Sequence, residues 1–253
     1  ISMANGEYIQ FVDSDDCVDS CMSEKLVACI EKAEADMVIC GITEIFDSRK
    51  EVCLPKIEGC VQLKDWEKKY PQIFETSLLN SPCNKLYRKK TILEKFPKEV
   101  SLGEDLIFNL HNLKVMEKVF FLRESLYSYM IHSGSLNRKY RADGIECAEN
   151  LYKEKMEFSH MFHLGKIAEK DISSTFIMFL FYGLSDLYTL SDYDKQQKRA
   201  ILRKWINNTN VRQAARCANM KGISKKVTLY MTKCRMHRLL ELLFFFRSKM
   251  RKG

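Results

Sequence analysis

Three carboxylates within four residues, Asp13-Ser14-Asp15-Asp16, follow directly on the apolar run Tyr8-Ile9-Gln10-Phe11-Val12. Tyr, Ile, Phe and Val favour a buried strand, and Gly6 ahead of them is a turn residue. Unpaired carboxylates are very costly in a low-dielectric interior, so the acids must lie where the strand surfaces. In open α/β sheets, ligands bind at that carboxyl-terminal edge. Hard oxygen ligands close together suit Mg²⁺ or Mn²⁺, which are held by one or two carboxylates and by substrate phosphates. The same residues would equally make a solvated turn.

Other clusters carry two readings as well. Asn84-Lys85-Leu86-Tyr87-Arg88-Lys89-Lys90 follows the turn at Ser81-Pro82; it is either a basic patch that meets a phosphate or the solvated start of a helix. Glu104-Asp105 behind Gly103 opens a helical pattern, where acids are favoured by the helix dipole whether or not they do chemistry. Cys17 with Cys21, and His160 with His163, lack the further ligands of a zinc site. The ten cysteines form no C-x-x-C pair and no regular framework. With no signal peptide visible, they point to a reducing, cytosolic location with free thiols as small hydrophobes.

The elements that must position these groups read as strand, helix, strand: Tyr8–Val12, a helix capped by Ser23 and running to about Ala35, then Asp36–Ile42. Ile1–Asn5 reads as the end of a helix stopped by Gly6. Two weaker strands fall between Glu44 and Val61, a helix at Trp66–Leu79 interrupted or started at Pro71, and two strands at Val119–Leu122 and Leu126–Ile131. From Asn137 on, only helical patterns remain: residues 143–164, 172–190, 194–206, 211–220 and 224–251. The segment 172–190 is apolar but diluted by Ser, Thr and Gly, which fits the centre of a helical bundle better than a membrane span. The expected division is 1–136 and 137–253.

Charge is uneven. Residues 221–253 hold ten Lys or Arg against the single acid Glu241, so the net +8 of the chain belongs to this tail. Its last helix mixes Leu and Phe with Arg and Lys, as a helix lying on anionic lipid does, or as one packing its apolar face on the protein. Nothing in the sequence suggests nucleic acid as a partner.

The order of the motifs resembles the bacterial family 2 glycosyltransferases of the GT-A fold. The matching residues are Ala4–Asp16, Asn84–Lys89, Glu104-Asp105 with Phe108, and Tyr129, His132 and Ser135. The resemblance covers about 1–136 and implies an α/β fold: a partial GT-A (Rossmann-like) mixed sheet with flanking helices, followed by an all-helical region. It implies metal-dependent, inverting transfer of a hexosyl group from a nucleotide sugar, of UDP type, to a glycan or lipid-linked acceptor in surface polysaccharide synthesis, at the inner face of the membrane. By the resemblance, Asp15 and Asp13 are the metal and ribose ligands, His132 reaches metal or phosphate, and Asp16 is supporting. Asp105 is the base, positioned by Glu104, while Lys85 and Arg88 line the phosphate or acceptor region. The strands that hold the nucleotide base are expected ahead of Ile1. A two-carboxylate hydrolase using Asp15 and Asp105, and a non-catalytic membrane-associated module or truncated remnant, are the rival readings.

Overall fold

The computed structural model of the chain describes residues 1–131 and 139–250. The chain divides into two compact units, Ile1–Asn137 with His160–Leu164, and Arg138–Ser159 with Gly165–Gly253.

The first unit is built on β3 (Met37–Ile45), whose first five residues are all buried. It runs parallel to β7 (Lys118–Met130) and antiparallel to β6 (Lys85–Arg88). Beyond β6 lies β1 (Tyr8–Gln10), and beyond β7 lies β2 (Cys17–Val18), giving the order β1-β6-β3-β7-β2. Two short strands extend it: β4 (Lys50–Cys53) on β3 and β5 (Gly59–Gln62) on β7. This is the mixed sheet that the motif order implies. Helix α1 (Met22–Ala33) lays Met22, Leu26 and Ile30 onto Val38, Cys40, Leu86, Leu122 and Leu126. Each such side chain contributes about 1.5–3 kcal/mol on burial. On α2 (Trp66–Phe74), the Trp66 ring packs at 6.5 Å from Phe121 of β7.

Several local expectations are corrected. Ile1–Asn5 is not helical; Ala4 N–H closes a turn on Ile1 O at 3.1 Å. Ser23 does not cap α1, because its hydroxyl donates to Gln10 Oε1 at 2.9 Å. Pro71 lies inside α2, which stops at Phe74; a separate 3₁₀ turn follows at Ser77–Leu79. The two late strands are one, β7, in which pairing jumps from Cys40↔Leu122 to Gly41↔Ser125 and leaves Arg123-Glu124 as a bulge. Gly41 is required at that jump: a Cβ there would meet Cys53 O at 2.7 Å and Glu124 O at 3.1 Å. The Asn84–Lys90 stretch is split: β6 lies between β1 and β3 with Lys85, Leu86 and Tyr87 buried, while Lys89 opens a 3₁₀ turn that leaves Lys90 exposed.

The second unit is helical: α4 (Gly144–Met161), α5 (Gly165–Thr189), α6 (Lys195–Asn207), α7 (Thr209–Cys217), α8 (Ile223–Lys233) and α9 (His237–Met250). Helix α3 (Glu104–Leu113) lies in the first unit. Helix α5 begins at Gly165, seven residues before the apolar run at Ile172. It buries Ile172, Phe176, Leu180, Leu184 and Leu187 at helical spacing and packs on α6, α7 and α9. Among the described residues, no helix is long and apolar enough to cross a membrane. The single last helix expected from residue 224 is two. Arg235, at φ 52°, ends α8 with Arg235 N–H on Thr232 O and Met236 N–H on Met231 O, the paired bonds of a Schellman stop. An Arg where Gly is usual hides that stop from sequence reading.

Candidate active site

Strand β1 ends at Gln10, and Val12 is already half exposed, so the acids lie outside the sheet as burial cost requires. The turn is closed by Asp16 N–H on Asp13 O at 3.2 Å. It is then tied to β7. Tyr127 Oη donates to Asp16 Oδ2 at 2.5 Å, Met130 N–H donates to Asp16 Oδ1 at 2.9 Å, and Asp13 N–H donates to Tyr127 Oη at 3.2 Å. Burial, and then the bond to Asp16, hold the Tyr127 hydroxyl proton well above its ordinary range. Asp16 is therefore the anchor, while Asp13 and Asp15 are exposed. Burial and the charges of Asp16, Asp15 and Asp13 all raise Tyr129, so the three acids form one negative patch beside that hydroxyl.

Tyr127→Phe removes the donor to Asp16 and the acceptor for Asp13 N–H. It is expected to cost about 1–3 kcal/mol. Trp66 belongs to the first unit and Trp205 to the second. Urea unfolding followed by Trp66 on a Trp205→Phe background reads the loss, and an unchanged midpoint would show that the hydroxyl does not hold the turn.

The second acid pair opens α3 (Glu104–Leu113) behind Gly103, whose φ of 87° is a left-handed conformation costly for any other residue. Asp105 is half-buried. Burial, then the charge of Glu104, then that of Asp13 push its carboxyl above the ordinary range, against the pull of Lys85. Asp13 is the member of the strand-end turn whose charge adds to that shift. An aromatic cluster fixes the approach. Phe11 meets Phe108 edge-on at 5.6 Å and Phe96 at 5.4 Å, and Phe96 stacks on Phe108 at 4.1 Å.

The family described as Glycosyl transferase family 2 matches residues 1–94. Over that segment the chain is similar to the family 2 glycosyltransferases. It is 28% identical over 180 residues to the uncharacterized glycosyltransferase EpsJ of Bacillus subtilis, covering 68% of this chain and 52% of EpsJ. It is 26% identical over 210 residues to glycosyltransferase GlyA of Streptococcus pneumoniae, covering 77% of this chain and 30% of GlyA. The chain thus spans about half the length of EpsJ and less of GlyA. The crystal structure of S. aureus TarS 1-349 in complex with UDP-GlcNAc shares the fold, with a TM-score of 0.64 at 17% identity over 99% of this chain and 69% of that one.

The Asn-Lys pair is engaged inside the fold. Lys85 is fully buried, and its ammonium donates to Leu78 O, Ser81 O and, at 2.9 Å, Asn84 Oδ1. Those acceptors match its three N–H groups. Asn84 in turn donates to Cys40 O at 2.7 Å. The pair ties the 78–84 loop to β3. Arg88 lies at the other end of β6, opposite Tyr8, roughly 15 Å along the strand direction from Asp13. It pairs with Glu7 at 2.8 Å and lines a cavity of about 540 Å³ with Glu7, Lys89 and Lys90. His132 lies outside the described residues.

Sequence reading missed Tyr127 and Cys83, whose thiol donates to Asp13 Oδ2 at 3.5 Å; neither carries a local motif. Among the described residues, no group of three or more His, Cys, Asp or Glu is gathered as a metal site. With Asp16 engaged on β7, the turn offers Asp13 and Asp15. Two carboxylates meet what Mg²⁺ or Mn²⁺ asks of a protein when phosphate and water oxygens complete the shell.

Proposed function

We propose that this chain carries the acceptor side and the metal-binding turn of an inverting glycosyltransferase that moves a hexosyl group from a UDP-sugar to a hydroxyl of a glycan or lipid-linked acceptor, in cell-surface polysaccharide synthesis. The observation that carries the reading is Asp105: half-buried, held above the ordinary carboxylate range, and within reach of the charge of Asp13. A hydroxyl is a poor nucleophile at neutral pH and needs a base of raised basicity beside it. The Asp105 carboxylate takes the hydroxyl proton, with Glu104 keeping it basic. The freed oxygen bonds to the anomeric carbon from the face opposite the nucleoside diphosphate, the bond to that diphosphate breaks, and the centre inverts. A divalent ion held by Asp15 and Asp13 would neutralise charge on the leaving diphosphate. The TarS complex with UDP-GlcNAc supports a nucleotide-sugar donor on this fold.

Helix α9 exposes Leu239, Leu242, Phe245 and Phe246 alongside basic residues. That supports peripheral contact with an anionic membrane surface, at the cytoplasmic face where lipid-linked acceptors are found. The test is Asp15→Ala in the natural full-length protein. Transfer from the UDP-sugar in the presence of Mn²⁺ is expected to fall about a hundredfold with the circular dichroism unchanged. Retained turnover would remove Asp15 from the site.

A further inference from the structure

Helices α5, α6 and α9 enclose a groove of about 940 Å³ within the second unit. Six of its lining residues are basic, and Glu241 is its one acid. Glu241 is already neutralised by a two-pronged pair with Arg199, at 2.8 and 2.9 Å. Among the described residues, Lys195, Arg203 and Arg238 have no carboxylate within ion-pair distance. The excess positive charge is felt nearby: burial first, then Arg203 and Arg235, hold His237 below its ordinary range.

Tyr188 also lines this groove. Along the same groove, Leu242 and Phe245 supply an apolar wall.

We propose that this groove binds the phosphate head of an anionic amphiphile, with its alkyl chain against Leu242 and Phe245. Arginine suits that head because its planar fork meets phosphate oxygens two at a time. The binding stands independently of sugar transfer, since every residue named lies in the helical unit.

The test is calorimetric titration of the whole chain with dihexanoyl phosphatidic acid below its micelle concentration, and with inorganic phosphate. Phosphatidic acid is expected to bind at least about tenfold more tightly than inorganic phosphate, because the free ion leaves the apolar wall uncovered. Arg203→Glu with Arg238→Glu is expected to weaken the lipid about tenfold or more. The same charge change at the exposed Arg212 and Arg216 of α7 should alter it less than about twofold. Asp105→Asn should leave it untouched, so failure here and failure of the transfer reading are separable. Equal affinity for the two ligands, or equal losses from the two double reversals, would overturn the proposal.

Discussion

Asp105→Asn is expected to lower sugar transfer about a thousandfold in the whole protein, the middle of the range for a positioned general base. The amide keeps the shape of the side chain but accepts no proton. In the wild type, transfer falls as pH drops through the Asp105 pKa, which burial, Glu104 and Asp13 hold above the usual carboxylate value; in the variant that acid limb disappears. The stability effect has the opposite sign. A carboxyl whose folded pKa lies above its unfolded one binds more protons in the native state, so its contribution to stability falls as pH rises through that window. The uncharged Asn escapes this cost, and the variant is expected to be no less stable than wild type at neutral pH. Loss of turnover at full stability is the signature of a base. Loss of both would mean that Asp105 serves only as the first-turn acid of α3.

Lys85→Met is expected to remove about 3 kcal/mol from the first unit, because Leu78 O, Ser81 O and Asn84 Oδ1 lose a buried donor together. Urea unfolding on a Trp205→Phe background reads it through Trp66. A small change would show that the loop carbonyls find other partners. Burial pushes the Lys85 ammonium down to about 7, while in the unfolded chain it keeps its ordinary value of about 10.5. Between those two values the unfolded state binds more protons, so native stability rises with pH across the window. Lys85→Met removes that slope.

Lys85 also marks a limit of sequence reading. Its partners lie four and seven residues back, in a loop whose shape no local pattern records, so the charge reads as surface until β6 is seen between β1 and β3. Tyr127 was hidden likewise, since its partner is 111 residues away. By contrast, the turn after β1 was legible because three acids cannot remain in a buried strand. The strand-helix-strand order was legible from apolar runs and turn residues, and the mixed sheet from the resemblance that the motif order carries. The join of two strands into β7 was lost at Arg123-Glu124, where a bulge looks like a loop. The stop at Arg235 was lost because its left-handed backbone is carried by a residue that gives no warning.

Carboxyl ¹³C titration of Asp105 in the chain, with and without Asp13→Asn, tests most directly whether the Asp13 turn and the α3 acids share one cleft. The expected result is a pKa above the ordinary carboxylate value in the wild type that moves down when Asp13 loses its charge. An Asp105 that titrates at the ordinary value, or that does not respond to Asp13, would contradict it.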